Sequence, residues 1–228
     1  MNKIKKLLKG KDTLMDIVAL LYSVLHWNCN FILSFKNIVT QKGAFLKGNK
    51  FDVKGKNNSI VIGRKARLNN CHFTIIGNNC KIIIGGGSTI VSNVHFWCQD
   101  DNSTIIIGND FTMGSGHIAA TEGKIIKIGN DCMFSDDIEI RNGDSHSILD
   151  IVANKRINHA ESVVIGNHVW LTAHVRVLKG SIIKSNSIIG NSSVVTGKLE
   201  IENALYSGIP CKLLKQQIIW DRNKIDHI

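Results

Sequence analysis

The sequence holds a single proline among 228 residues, and aromatic residues make up only 6%. Its six cysteines form no CxxC pair, which argues against a disulfide framework or a paired-cysteine zinc site. No signal peptide precedes them, so we expect reduced, small and mostly buried thiols in a cytoplasmic protein. The sequence also lacks an apolar run long enough to cross a bilayer, because the run that begins near residue 14 is too short.

What is present favours a β-rich core. Hydrophobic residues make up 43% and charged residues 20%, which excludes a wholly disordered chain. Isoleucine is frequent, and 20 glycines together with many asparagines are typical of short strands joined by tight turns. The net charge of +10 would attract a polyanion or an anionic membrane. The sequence contains no recognised nucleic-acid-binding module, so we expect no nucleic-acid partner.

From residue 58 onward, short β-branched phrases such as SIVIG and KIIIG end in Ile-Gly and recur at a nearly fixed period. The spacings between the closing glycines are 22, 23, 21, 37 and 24 residues, and these glycines are Gly63, Gly85, Gly108, Gly129, Gly166 and Gly190. One such unit cannot bury its own apolar face, so the period predicts stacked parallel β-coils. We expect Ile, Val and Leu to point inward, and Gly and Asn to occupy corners with positive φ.

The stretch from residue 163 proceeds in steps of about six, and we expect the aliphatic residues that open the steps to form the interior. They are Val164, Val169, Val175, Ile182, Ile188 and Val194. This pattern resembles the hexapeptide repeat of left-handed parallel β-helix acyltransferases over about residues 50 to 215. The predicted fold is an all-β solenoid of that type, with residues 51–215 as the β-helix, a basic segment with a short α-helix over 1–50, and a tail over 216–228.

The spacing of 37 residues places about 15 extra residues between Gly129 and Gly166, which predicts a loop inserted at about 143–160. The insertion begins with RNGDSHSILD, and His146 lies near its start. Histidine suits a general base because its ordinary pKa lies near 6.5. Asp144, Asp150 or a backbone carbonyl could fix its tautomer.

The motifs DSHSI, RIN, IGNHVW, VLKG and YSGIPCKLLK, in this order, resemble those of bacterial polysaccharide O-acetyltransferases, closest to the capsular polysialic acid and exopolysaccharide enzymes. The resemblance implies an acetyl-CoA donor, no metal, and a homotrimer with active sites between subunits. It makes His146 the base and Trp170 its partner. From its place in the sequence, we expect Asp144 to orient the histidine. Arg141, Asn142 and Ser145 surround His146 in sequence and are candidates to bind the acceptor sugar. Arg141 and the positive net charge would suit an acidic sugar such as sialic or uronic acid, and a neutral glycan is the alternative.

The same resemblance places the pantetheine arm of CoA along the late coils. The implied contacts are Thr172, Ala173, Gly190, Asn191, Ser192 and Thr196, with Lys198, Lys212 and Lys215 near the CoA phosphates. The relatives usually carry glycine at the place of Thr172, and alanine or glycine at that of Asn191. The bulkier residues here narrow the expected groove.

Three other functions compete with this one. The first is N-acetylation of a nucleotide-linked amino sugar, which shares the donor and the fold. The second is a carbonic anhydrase-like zinc site, with ligands among His117, His146, His159, His168 and His174, although their spacing does not show a compact ligand pattern. The third is a non-catalytic binding scaffold. The amino-terminal segment has two interpretations. Its lysines beside an apolar helix suit peripheral contact with an anionic membrane. Alternatively, the helix packs on the rest of the domain or on a neighbouring subunit.

Overall fold

The computed structural model of the chain describes residues 12–26, 37–41 and 43–226. The lysine-rich segment 1–11 and Cys29 lie outside these residues. One α-helix, α1 (Asp12–Leu25), precedes a parallel β-solenoid whose strands are numbered β1 to β26 along the chain. Within the described residues, no helix has the length and apolarity needed to cross a membrane.

Three long sheets form the sides of the solenoid, and successive coils add one strand to each. The first sheet contains β1 (Asn37–Gln41), β4 (Asn58–Ile62), β7 (Lys81–Ile84), β10 (Thr104–Ile107), β13 (Ile125–Ile128), β18 (Val163–Ile165), β21 (Ile182–Ile183) and β24 (Lys198–Leu199). The second sheet contains β2 (Phe45–Lys47), β5 (Arg67–Asn69), β8 (Ile90–Ser92), β11 (Thr112–Met113), β14 (Met133–Phe134), β19 (Trp170–Leu171), β22 (Ile188–Ile189), β25 (Ala204–Ser207) and the antiparallel β26 (Lys212–Gln216). The third sheet contains β3 (Lys50–Lys54), β6 (His72–Ile76), β9 (Val94–Gln99), β12 (Gly116–Ala120), β15 (Ile138–Arg141), β20 (Arg176–Val177) and β23 (Val194–Val195).

The interior is a set of ladders of identical or similar side chains, as the repeat predicts. Alternate residues of each strand point inward, and parallel pairing in register stacks them coil upon coil. In the third sheet the rings of Phe51, Phe73 and Phe96 stack with centroid separations of 4.8 and 4.9 Å. The solenoid begins before residue 51, because β1 and β2 already pair with strands of the next coil.

In the last coils, four of the six aliphatic residues that were predicted to point inward do not do so. The buried positions lie one residue away from them. Val169 and Val175 are fully buried as expected, but Val164 is 39% exposed, and the residues at 182, 188 and 194 are only partly buried. Buried serines open these last steps, and the inward aliphatic residue follows two positions later. The serines are Ser181, Ser187 and Ser193, and the inward aliphatic residues are Ile183, Ile189 and Val195.

The corners use asparagine and glycine for different reasons. Asparagine supplies the positive φ that was expected, for example at Asn79 (57°) and Asn186 (58°). The closing glycines do not have positive φ; they are required because the next coil lies too close. A Cβ atom on Gly85 would lie 2.3 Å from the carbonyl oxygen of Gly108.

The helix α1 packs on the first coils through its small and polar side. Ala19 and Ser23 are fully buried, and the Ser23 hydroxyl accepts a hydrogen bond from the Leu46 amide at 3.0 Å. Arg64 forms ion pairs with Asp12 (3.0 Å) and Asp16 (2.8 Å). The helix therefore turns its larger apolar side chains outward.

The described cysteines are free thiols, as expected. Burial raises the pKa of Cys132 to about 12 and that of Cys211 to about 11, so both thiols remain protonated at neutral pH. Neither side chain is prepared to act as a nucleophile.

Candidate active site

The predicted insertion leaves the solenoid after β15 and forms a two-stranded antiparallel hairpin of β16 (Leu149–Asp150) and β17 (Lys155–Arg156). A cavity of about 370 Å³ lies between the start of this insertion and the outer face of the third sheet. Its lining residues are Trp97, Gln99, Asp100, His117, Ala119, Ala120, Thr121, Glu122, Arg141, Gly143, Asp144, Ser145, His146, Ser147 and Arg156. Four residues predicted from the sequence, Arg141, Asp144, Ser145 and His146, are thus brought together.

The position of His146 is set by Asn158, which follows the returning strand β17 of the insertion. The buried Asn158 side chain donates from Nδ2 to the His146 carbonyl oxygen at 2.7 Å and to Asp144 Oδ2 at 2.9 Å. Its Oδ1 accepts a hydrogen bond from the Ile148 amide at 2.8 Å. Asn158 therefore joins the two ends of the insertion, while the His146 side chain itself is exposed at the cavity.

Asp144, which was predicted to orient His146, binds other side chains in this structure. Its Oδ2 accepts from Lys179 Nζ at 2.6 Å and from Asn158, and no hydrogen bond to the His146 ring is present within the described residues. The Lys179 hydrogen bond, followed by that from Asn158, lowers the pKa of the Asp144 carboxyl group, which is therefore ionised at neutral pH. These two hydrogen bonds hold Asp144 at the start of the insertion.

Asn142 is also placed differently from the prediction that it binds the acceptor sugar. It is fully buried, and its Oδ1 accepts a hydrogen bond from the Thr121 amide at 2.9 Å. Its carbonyl oxygen accepts from the Glu161 amide at 2.9 Å. Because no side-chain atom of Asn142 reaches the cavity surface, this residue supports the coil at the root of the insertion.

Arg141 is engaged on the floor of the cavity. It donates through Nε to Glu139 Oε1 and through a terminal nitrogen to His117 Nδ1 at 3.3 Å. Since arginine can only donate, the ring proton of His117 lies on Nε2. Burial and then the charge of Arg141 lower the pKa of His117, so this ring is neutral at neutral pH.

The cavity is not dominated by positive charge within one protomer. Its lining carries two arginines, Arg141 and Arg156, and three carboxylates, Asp100, Glu122 and Asp144. Glu122 accepts from Arg156, and this hydrogen bond is the main cause of its lowered pKa. The two arginines are thus largely neutralised by neighbouring carboxylates.

The residues predicted to hold pantetheine lie elsewhere on the chain, at one corner of the late coils. The Thr172 hydroxyl donates to the Ile189 carbonyl oxygen at 2.7 Å, and the Ser192 amide donates to the Ala173 carbonyl oxygen at 3.0 Å. Gly190 and Asn191 complete this corner, whereas Thr196, Lys198, Lys212 and Lys215 are exposed on other parts of the last coils. None of these predicted donor residues lines the cavity of the described chain.

Trp170 is also separate from the cavity. It lies in β19, half-buried, with its ring 5.9 Å from that of Trp220. Trp220 stacks on His168 at 4.0 Å and donates from Nε1 to the His168 carbonyl oxygen at 2.9 Å. Arg222 binds Asp131 at 2.9 Å. The described part of the predicted tail is therefore fixed across the second sheet.

The histidines considered for zinc are held in separate contacts. His168 binds Asp131 at 2.7 Å, His174 binds Asp137 at 2.8 Å, and His117 accepts from Arg141. Across residues 12–26 and 43–226, no three His, Cys, Asp or Glu side chains are grouped as ligands for one metal ion.

Several residues of the site were missed by the sequence reasoning. Asn158 and Lys179 occur in the motifs RIN and VLKG, but no role was assigned to them. Trp97 and His117 lie outside those motifs. Spacings of 23 and 22 residues separate His72, His95 and His117, which matches the repeat and could have predicted that they stack.

The chain has close relatives among characterised enzymes, although no family model matches it. It is 35% identical over 170 residues to the polysialic acid O-acetyltransferase of Neisseria meningitidis, covering 75% of this chain and 78% of that protein. The crystallographically analysed polysialic acid O-acetyltransferase OatWY superposes with a TM-score of 0.73 at 31% identity, covering 88% of this chain and 91% of the other. The polySia-specific acetyltransferase NeuO gives a TM-score of 0.65 at 29% identity, with coverages of 79% and 85%.

The solenoid and the cavity beside its inserted hairpin define a left-handed β-helix acyltransferase, as the repeat predicted. Within that class, the chain belongs to the polysialic acid O-acetyltransferase family. It is an enzyme, and its reaction is O-acetyl transfer.

Proposed function

We propose that the enzyme transfers acetyl from acetyl-CoA to a hydroxyl group of a bacterial capsular polysaccharide or exopolysaccharide, with sialic acid as the acceptor sugar. The observation that carries this proposal is the placement of His146 at a cavity large enough for a sugar residue. The relatives named for polysialic acid support the acidic acceptor. The balanced charge of the cavity leaves recognition of the sugar to hydrogen bonds rather than to net charge.

In the proposed mechanism, His146 acts as general base. It accepts the proton of the acceptor hydroxyl while that oxygen bonds to the thioester carbon, and it returns the proton to the departing sulfur. Acetyl-CoA supplies the acetyl group as a thioester. Asn158 and Asp144 act as positioning residues, because they hold the backbone around His146 and so fix its distance from the acceptor hydroxyl.

A thiol-release assay tests this function. We expect CoA release from acetyl-CoA to depend on added polysialic acid and to exceed that with a polyuronate or a neutral glucan. The acetyl group on the product should be removed by mild alkali, as an ester is and an amide is not. Release that requires a nucleotide-linked amino sugar and gives an alkali-stable product would instead show N-acetylation.

We also propose that the enzyme is a homotrimer with active sites between subunits. Within one protomer, the His146 cavity and the predicted donor residues around Thr172 do not share a surface. The direct transfer proposed here requires the thioester to lie within about 3–3.5 Å of the acceptor hydroxyl. A neighbouring subunit that presents its late coils and Trp170 to this cavity meets the requirement.

We place the enzyme in the cytoplasm, at the inner face of the membrane, and its free thiols agree with a reducing compartment. The outward side of α1 exposes Leu20 (56%), Leu21 (55%) and Leu25 (81%), and five lysines precede it in the sequence. Apolar residues beside a cluster of lysines suit binding to a surface of anionic lipid.

One experiment tests both assembly and membrane contact. We expect the parent to have the mass of three chains and to sediment with vesicles containing phosphatidylglycerol, but not with neutral vesicles. The variant Leu21→Gln/Leu25→Gln should lose vesicle binding and keep its mass. If the variant falls to the mass of one chain, the exposed side of α1 is a subunit contact and the membrane proposal is wrong.

A further inference from the structure

The outer face of the third sheet carries a row of stacked imidazole rings that leads into the active-site cavity. His72, His95 and His117 are register partners on β6, β9 and β12. Their ring centroids are 4.6 and 5.0 Å apart, with interplanar angles of 7° and 26°. We call this row the imidazole ladder; His117 is the member that lines the cavity.

Trp97 connects the ladder to the cavity from the adjacent column of side chains. Its ring meets those of His95 and His117 at centroid distances of 5.3 and 6.5 Å, both with edge-to-face geometry. It also lines the cavity together with Gln99, to which its Nε1 donates at 3.3 Å. The ladder and the cavity therefore form one continuous surface.

Two of the three rings, those of His72 and His95, offer a hydrogen-bonding edge on neighbouring coils. Because the rings stack face to face, their edges rather than their faces are available, whereas His117 Nδ1 accepts from Arg141 and its Nε2 is buried. A neutral imidazole carries one donor and one acceptor nitrogen. His72 Nε2 binds Asp52 at 2.6 Å and His95 Nε2 binds the Thr74 hydroxyl at 2.9 Å, while the second nitrogen of each ring has no partner among the described residues.

The two rings of the ladder nearest the cavity, His95 and His117, are uncharged at neutral pH. Burial, and then the charge of His117, lowers the pKa of His95 to about 4. The pKa of His117 is lowered as well, mainly by burial. The uncharged ring of His95, with one nitrogen left without a partner among the described residues, fits a sugar hydroxyl better than it fits a phosphate.

We propose that the imidazole ladder and Trp97 form an extended subsite that binds further sugar residues of a polymeric acceptor while one residue lies at His146. The inference rests on the proposed function, since it takes a glycan as the acceptor. The ladder runs from the cavity toward the early coils, away from the late coils where donor contacts are predicted. A glycan on the ladder thus leaves the late coils of the same chain free for donor contacts.

The test separates a long acceptor from a short one. His95 is the probe, because it belongs to the ladder but does not line the cavity. In His95→Ala we expect KM for long polysialic acid to rise about tenfold, the loss of roughly one favourable contact. The KM values for a short sialic acid oligosaccharide and for acetyl-CoA should not change, and kcat should stay the same. His159→Ala, which removes an exposed histidine outside the ladder, should leave every constant unchanged.

A second variant at the same position tests whether the effect of His95→Ala comes from a change in the fold. His95→Gln removes the flat ring but keeps a side chain that can hydrogen bond, so it should give a smaller loss for the long acceptor than His95→Ala does. Equal changes for long and short acceptors, or no change for either, would overturn the subsite.

A direct binding measurement distinguishes failure of this inference from failure of the proposed function. We expect calorimetry to show that long polysialic acid binds the parent more tightly than it binds His95→Ala. If the parent binds the polymer through the ladder but transfers no acetyl to it, the subsite stands and the proposed function is wrong. If the parent does not bind the polymer, the subsite is wrong.

Discussion

Replacing His146 with alanine lowers kcat for acetyl transfer by about 10²–10⁴-fold, the usual contribution of a general base. Without the imidazole, no group at that position takes the proton from the acceptor hydroxyl as the oxygen attacks. The side chain is exposed, so its removal should change the free energy of unfolding by less than about 0.5 kcal/mol. Steady-state kinetics and thermal unfolding of the same preparation measure both quantities.

The matched control is His159→Ala in the same insertion. His159 is 67% exposed and lies 3.8 Å from Glu122, so the change removes an imidazole of similar exposure without touching the His146 backbone. We expect its kcat to equal that of the parent. Similar losses in the two variants would show that the insertion tolerates neither change, and His146 would lose its assignment as the base.

Replacing Asn158 with alanine should lower kcat by about 10–10²-fold, because it releases the backbone that carries His146. The change removes the hydrogen bonds to the His146 carbonyl oxygen, to Asp144 and from the Ile148 amide. Each such bond contributes about 0.5–1.5 kcal/mol, and a lone two-stranded hairpin is only marginally stable. The insertion should therefore lose order while the solenoid remains folded.

Hydrogen exchange and kinetics together measure this effect. In Asn158→Ala we expect the amides of Ile148 and Ile157 to exchange faster, whereas the amides of the solenoid strands keep their protection. Lys155→Ala, an exposed change in the same hairpin, should affect neither rate nor exchange. Full activity in Asn158→Ala would mean that His146 does not need this support.

The sequence was sufficient to predict the solenoid, because its period is a direct consequence of stacking. Coils that pair in parallel must repeat their inward residues at a fixed interval, and an insertion shows as one long interval. The inward register in the last coils was less predictable. Ser181 and Ser187 are small enough to be buried, and hydropathy alone favours the aliphatic neighbours instead.

The sequence predicted the chemical role of a site residue only where one residue type is well suited to that role. His146 stands out because a histidine at the root of an insertion suits proton transfer. The partners of a side chain cannot be read in the same way. Asp144 is two residues from His146 but binds Lys179, which is 35 residues away and reaches it only because the coils stack.

Acetyl transfer to a glycan hydroxyl at the His146 cavity leaves O-acetyl groups on the acceptor. NMR spectroscopy of polysialic acid recovered after incubation with acetyl-CoA and enzyme tests it most directly. We expect O-acetyl signals on the sugar with the parent enzyme, removable by mild alkali, and none above background with His146→Ala. Equal O-acetylation by the parent and by His146→Ala would contradict this expectation.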